Sequence, residues 1–149
     1  MKRTVKNITA AVLIAGTLLT FTSCDNSPEK HVKVYSNDFV MEKYINGLES
    51  YESTSYEEIV FTLKYFDIGP HEPRYRGVVY LSEDDAAELM DKYEWTEVTP
   101  EFEFDEVDVG SLDGPWYRCS QFDSDAFNFV NVNYAVFNGE AIVYDIQTT

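Results

Sequence analysis

Thirteen carboxylates lie between Glu83 and Asp113, against a single base, Lys92. Within them Glu101-Phe102-Glu103-Phe104-Asp105 alternates acid and ring, so as a strand it would project three carboxylates from one face, about 7 Å apart. Two of these could share a Ca²⁺ completed by loop carbonyls, but a hydrated strand face is the simpler reading. Neither DEVDVGSLDG nor DSDAFN has the spaced acids, central glycine and distant Glu of an EF-hand loop. Rings supply the second lead. Trp116 and Tyr117 follow the turn-forming Gly114-Pro115, and Trp95 ends a helical pattern. Exposed rings of this kind stack on sugars or anchor protein interfaces, which makes Trp116 and Tyr117 the candidate binding residues, although core packing uses the same side chains equally well.

His71, in GPHEPRYRG beside Glu72 and near Arg74 and Arg76, is the histidine best placed for a site, and alone it reads as a surface residue. Cys119 would need a basic partner to act as a nucleophile. Only His31 and His71 exist, and the alternation of GPWYRCSQF favours burial of the thiol. There is no G-x-S-x-G, P-loop, H-E-x-x-H, C-x-x-C or glycine-rich dinucleotide turn. The sequence therefore reads as non-catalytic, with no metal or cofactor called for.

The remaining reactive side chain is Cys24. Ahead of it lie a basic start with Lys2, Arg3 and Lys6, an apolar run from Ile8 to Phe21, and the small residues Thr22-Ser23. This is the three-part pattern of a secretory signal peptide, and the run is shorter than the roughly 20 apolar residues needed to span a bilayer. Phe21-Thr22-Ser23-Cys24 resembles the lipobox of bacterial lipoproteins, with Phe21 in place of the commoner Leu. The resemblance covers residues 1–24 alone. It implies that Cys24 receives a diacylglyceryl group and becomes the new N-terminus, and two acyl chains suffice for stable anchoring where one does not. Residues 1–23 are then the signal peptide, 24–31 the lipidated cysteine and its tether, and 32–149 one globular domain. The implied location is the extracytoplasmic face of the bacterial cell membrane. Acidic residues just behind the cysteine, Asp25 and Glu29, resemble both an inner-membrane retention signal and a surface-export signal, so the compartment stays open.

Removing residues 1–23 leaves eight basic and 27 acidic side chains, a net charge of −19. Nucleic acid is a poor partner for such a surface, because phosphate binding needs clustered Lys and Arg. A basic protein or a neutral glycan suits it better. With Cys24 acylated, Cys119 is left alone and no internal disulfide forms. Tyr and Phe supply most of the expected core, too aromatic a mixture for a disordered chain.

Several elements are legible around these residues. Ser82 can cap a helix whose first turn holds Glu83, Asp84 and Asp85, where the dipole favours acids, and Ala86, Leu89, Met90 and Tyr93 form its apolar stripe. FVMEKYINGL, residues 39–48, permits a short second helix. EEIVFTLKYF alternates as a strand, with Ile59, Phe61, Leu63 and Tyr65 on one face, and YRGVVYL reads as its antiparallel partner. NFVNVNYAVFNGEAIVYDIQ predicts a hairpin with Asn138-Gly139 at its tip. Val130, Val132, Tyr134 and Val136 share a parity with Ile142, Tyr144 and Ile146, which predicts an odd-length loop with Gly139 left-handed. Phe102 and Phe104 differ in parity from Val107 and Val109, so a bend belongs at Asp105-Glu106. The expected fold is a small α+β domain: an antiparallel sheet, one main helix packed on one face, and a C-terminal β-hairpin.

The functional expectation is a membrane-anchored binding module that presents acid and ring to a protein or glycan. The alternatives are an inhibitor or immunity-type lipoprotein that neutralises a basic enzyme, and a small hydrolase, whose carboxylate pair has no local spacing to find.

Overall fold

Strand pairing dominates the chain. The computed structural model describes residues 27–63 and 72–149. In chain order the elements are β1 (Glu29–Tyr35), α1 (Phe39–Tyr44), β2 (Ser53–Thr62), β3 (Arg74–Tyr80), α2 (Glu83–Lys92), β4 (Thr96–Val98), β5 (Trp116–Arg118), α3 (Ser120–Ala126), β6 (Val130–Phe137) and β7 (Ala141–Thr148). The seven strands form one sheet in the order β1-β2-β3-β7-β6-β5-β4, and every neighbouring pair is antiparallel. This is an α+β domain. Among the described residues no helix is long and apolar enough to cross a membrane.

β7 lies at the centre of that order, and its sequence AIVYDIQT explains why. Both faces of a central strand are covered, so a nearly continuous apolar run replaces alternation. Ile142, Tyr144 and Ile146 point to one side, with Tyr56, Tyr75 and Val79 of the neighbouring strands. Val40, Met41 and Tyr44 of α1, Ala86 and Leu89 of α2, and Phe122 and Ala126 of α3 pack on the same side, so all three helices share one face. The expected main helix is α2, capped by the Ser82 hydroxyl, which accepts from Asp85 N at 3.1 Å. Ala141 and Val143 point to the other side, against Val78, Val136 and Trp116. What covers them is a segment without helix or strand, residues 99–113, through Phe102, Phe104, Val107, Val109 and Leu112.

One glycine is required where the sheet is most crowded. Gly77 lies in register between Tyr56 and Tyr144, and a Cβ on it would come 2.6 Å from the Tyr56 Cβ and 2.5 Å from the Tyr144 hydroxyl.

Three expectations need correction, and one shared face proves unevenly covered. β1 begins at Glu29, inside the segment read as tether (24–31), because Glu29, Lys30 and His31 pair with Thr62, Phe61 and Val60. The hairpin tip is not odd: Phe137 faces Ile142 and Asn138 N donates to Ala141 O at 3.2 Å, with Gly139 at φ +89°. The extra residue sits inside β6 instead, as a bulge between Val132 and Tyr134, so Val130 and Val132 join the helix side while Tyr134 and Val136 turn to the loop side. Residues 101–105 are not a strand, so Glu101, Glu103 and Asp105 do not line up on one. Of the face assigned to β2, Ile59 is buried but Phe61 is 50 % exposed and Leu63 is exposed, because the cover stops short of that end; Tyr65 lies outside the described residues.

Candidate functional site

Adjacent residues in a strand point to opposite faces, and in β2 this separates two glutamates. Glu57 faces the loop side and is 0 % exposed. It stands in register with Arg76 of β3, and Arg76 with Asp145 of β7, so three charges cross three strands as a ladder. A buried charge is tolerated only when it is paired and hydrogen-bonded. The Glu57 carboxylate accepts from the backbone N–H groups of Asp105 (3.1 Å), Glu106 (3.0 Å) and Val107 (3.5 Å), and from Arg76 Nη1 at 3.4 Å. The bend expected at Asp105-Glu106 is there, and Glu57 holds it. Arg76 also donates to the Glu103 carbonyl and lies 3.6 Å from Asp105 and from Asp145. Asp145 accepts from Arg74 Nε at 2.7 Å and Asn133 Nδ2 at 3.0 Å, and this pairing pushes Arg74 upward. Lys30 pins the bend from outside through Asp105. Glu57 and Arg76 hold the loop to the sheet, and Asp145 ties Arg74 and Asn133 within the sheet.

Glu58 faces the helix side, where β1 and β2 extend past the helices, and it is half-buried. A cleft of about 260 Å³ opens there, lined by Tyr35, Asn37, Phe39, Tyr56, Glu58 and Tyr75. A second hollow of about 270 Å³ shares Glu58 and is lined otherwise by His31, Lys33, Val60 and Thr62. The rings form a connected wall. Tyr35 stacks on Tyr56 with centroids 5.5 Å apart, Tyr56 meets Tyr75 edge-on at 5.9 Å, and Phe39 tilts against Tyr75 at 6.3 Å. Asn37 sets the start of α1 by accepting from Phe39 N, and its Oδ1 also accepts the Tyr56 hydroxyl at 2.6 Å. Phe39 remains 44 % exposed at the rim.

The phenols fix the carboxylate. Tyr75 donates to Glu58 Oε1 at 3.1 Å and Tyr35 to Oε2 at 3.4 Å. Burial, and next the Glu58 charge, push Tyr75 well above the ordinary phenol range, and the same causes raise Tyr56. Both rings therefore stay protonated at neutral pH. Among the described residues no lysine or arginine forms an ion pair with Glu58. A carboxylate has about four acceptor positions, and among the described residues these two phenols are the side-chain donors that Glu58 accepts from.

The candidates read from the sequence lie elsewhere. Trp116 is 8 % exposed and meets Phe102 edge-on at 5.0 Å inside the loop-side core, so its ring offers no free face; Tyr117 is half-buried on β5. Cys119 is buried at the start of α3. His71 and Cys24 lie outside the described residues. Among the described residues no three His, Cys, Asp or Glu side chains converge as metal ligands. The groove residues were missed because they come from β1, the β1–α1 turn, α1, β2 and β3, with no spacing to link them. The one available signal was Glu57-Glu58 itself, two adjacent charges between Tyr56 and the apolar run Ile59-Val60-Phe61 of one strand, a local rule broken in the manner expected of structural or functional sites.

No protein-family model, curated protein or solved structure matches this chain.

Proposed function

We propose that this protein is a bacterial envelope lipoprotein, anchored through acylated Cys24, whose domain is a non-catalytic module that binds a protein or a glycan in the Glu58 groove. The observation that carries this reading is the groove itself: a half-exposed carboxylate is held in place by two phenols and framed by ring faces. A residue needed only for packing would be buried or fully paired, as Glu57 is. The anchor rests on the lipobox resemblance, and β1 starting five residues after Cys24 would hold the domain close to the bilayer.

Two measurements test the two parts. Mass spectrometry of the native protein is expected to give a diacylglyceryl-modified Cys24 at the N-terminus; an unmodified Cys24, or a product that still begins at Met1, removes the anchor. For the groove, immobilised full-length protein is presented with neutral glycans and with basic proteins, beside the double variant Tyr35→Ala/Glu58→Gln. At least one class is expected to bind the native chain and be lost from the variant. Binding of neither class, or equal binding by both forms, removes the module.

A further inference from the structure

Resting on the binding reading above, we infer that the Glu58 groove is a receptor for one protonated amine, the side chain of a lysine on a basic protein. Three observations converge on this. Each phenol is already engaged as a donor, Tyr35 and Tyr75 to Glu58 and Tyr56 to Asn37, so the hydroxyl protons of the wall are not free to donate to a sugar. What remains is electronegative: the faces of Tyr35 and Phe39 and the carboxylate of Glu58. Ring faces carry negative quadrupole density, and a cation within about 6 Å of a centroid is attracted to it. A phenol that donates to a carboxylate presents a richer face still.

Size points the same way. At about 260 Å³ the cleft is smaller than the roughly 300–1,000 Å³ of small-molecule pockets. It is of a size to admit a single side chain. The protein also satisfies this chemistry once within itself, at the rim of the same wall. Lys43 Nζ lies 5.3 Å from the Phe39 centroid and 4.9 Å from that of Tyr44. An ammonium thus already rests on the Phe39 ring, which also lines the groove. The chain's net charge of −16 would steer a basic partner toward it.

Lys33 marks the limit of the site. It stands in register with Glu58 and lines the adjoining hollow, and among the described residues it forms no ion pair. Its ammonium is the resident competitor for the carboxylate.

The test uses the full-length chain and three probes: hexalysine, fully Nε-acetylated hexalysine, and neutral chitotetraose, titrated at 150 mM salt while the ring resonances of Tyr35 and Phe39 are followed. Hexalysine is expected to shift these resonances and its acetylated form is not. Glu58→Gln should weaken hexalysine by about tenfold or more, the loss of a charge-assisted hydrogen bond. Phe39→Ala, which leaves the carboxylate and its phenols in place, should weaken it about two- to fivefold, and Lys33→Gln should tighten it. Glu83→Gln, on the exposed start of α2, controls for diffuse attraction to an acidic surface and should change affinity less than twofold. Equal losses in Glu58→Gln and Glu83→Gln, or equal binding of the acetylated probe, overturn the amine receptor. Chitotetraose shifting the groove resonances while hexalysine does not overturns it too, but leaves the binding module standing.

Discussion

Glu57 and Glu58 stand side by side in β2, one enclosed under the loop and the other half-open on the helix side. Their ionisable groups are identical, and their surroundings are opposites. Around Glu57 three backbone N–H groups and a guanidinium saturate the carboxylate. Around Glu58 two phenols hold it, and among the described residues no lysine or arginine forms an ion pair with it. The difference shows how a sheet can use one dipeptide twice: the enclosed member ties down a covering loop, and its neighbour, held by two phenols, lines an open cleft.

That contrast breaks most severely at Glu57. Replacing it by Ala takes one carboxylate from the buried Arg76, which keeps Asp105 and Asp145 nearby, and strips the bend of its acceptor; losing one member of a buried pair typically costs about 3–5 kcal/mol. Urea denaturation should register this loss, and hydrogen exchange should quicken at the Asp105 and Glu106 amides. A cost below about 1 kcal/mol would mean that the ladder does not hold the loop. Gly77→Ala probes the opposite face, beneath the tyrosines. The added methyl collides with Tyr56 and Tyr144, an overpacking expected to cost about 1–3 kcal/mol and to disturb the ring resonances of the groove.

Ser82→Ala removes the cap of α2, far from either glutamate, at a cost of about 1 kcal/mol. It also changes the acid limb of the stability profile. Hydrogen bonds from Ser50, then Ser82, hold Asp85 below its ordinary carboxylate value. A carboxylate lowered on folding stabilises the protein above its unfolded value, near pH 4, and that contribution is lost as pH falls through the folded value. Ser82→Ala should therefore flatten the decline below pH 4 and leave the slope near pH 7 unchanged. Smallest of all is Glu58→Gln, expected to alter stability by about 1 kcal/mol or less while removing amine binding. A larger loss would place Glu58 in the same structural class as Glu57.

Local physics made several elements legible. α2 could be read because its signals lie within one turn of each other: a capping hydroxyl, three acids at the positive end of the dipole, and an apolar stripe of which Ala86, Leu89 and Tyr93 are buried. The β2–β3 pairing, the Asn138-Gly139 tip and the bend at Asp105-Glu106 were equally local. The α+β class followed from these elements together. The bulge at Val132/Tyr134 escaped because parity counts the residues in a hairpin without saying which of them is extra.

The groove escaped for a deeper reason. A period of two states that Glu57 and Glu58 face opposite ways, but it does not say which face will be sealed. The sealing segment lies some fifty residues further on, and its backbone amides became the partners of Glu57 only when β3 came to lie between β2 and β7. Trp116 was drawn inward by that same packing, and Tyr35, Phe39 and Tyr75 met around Glu58 because the sheet brought three distant strands and a turn of helix together. The amino-acid order determined which side chains share a face; tertiary contact alone decided which face water would reach, since burial is a property of what covers a residue and not of the residue itself.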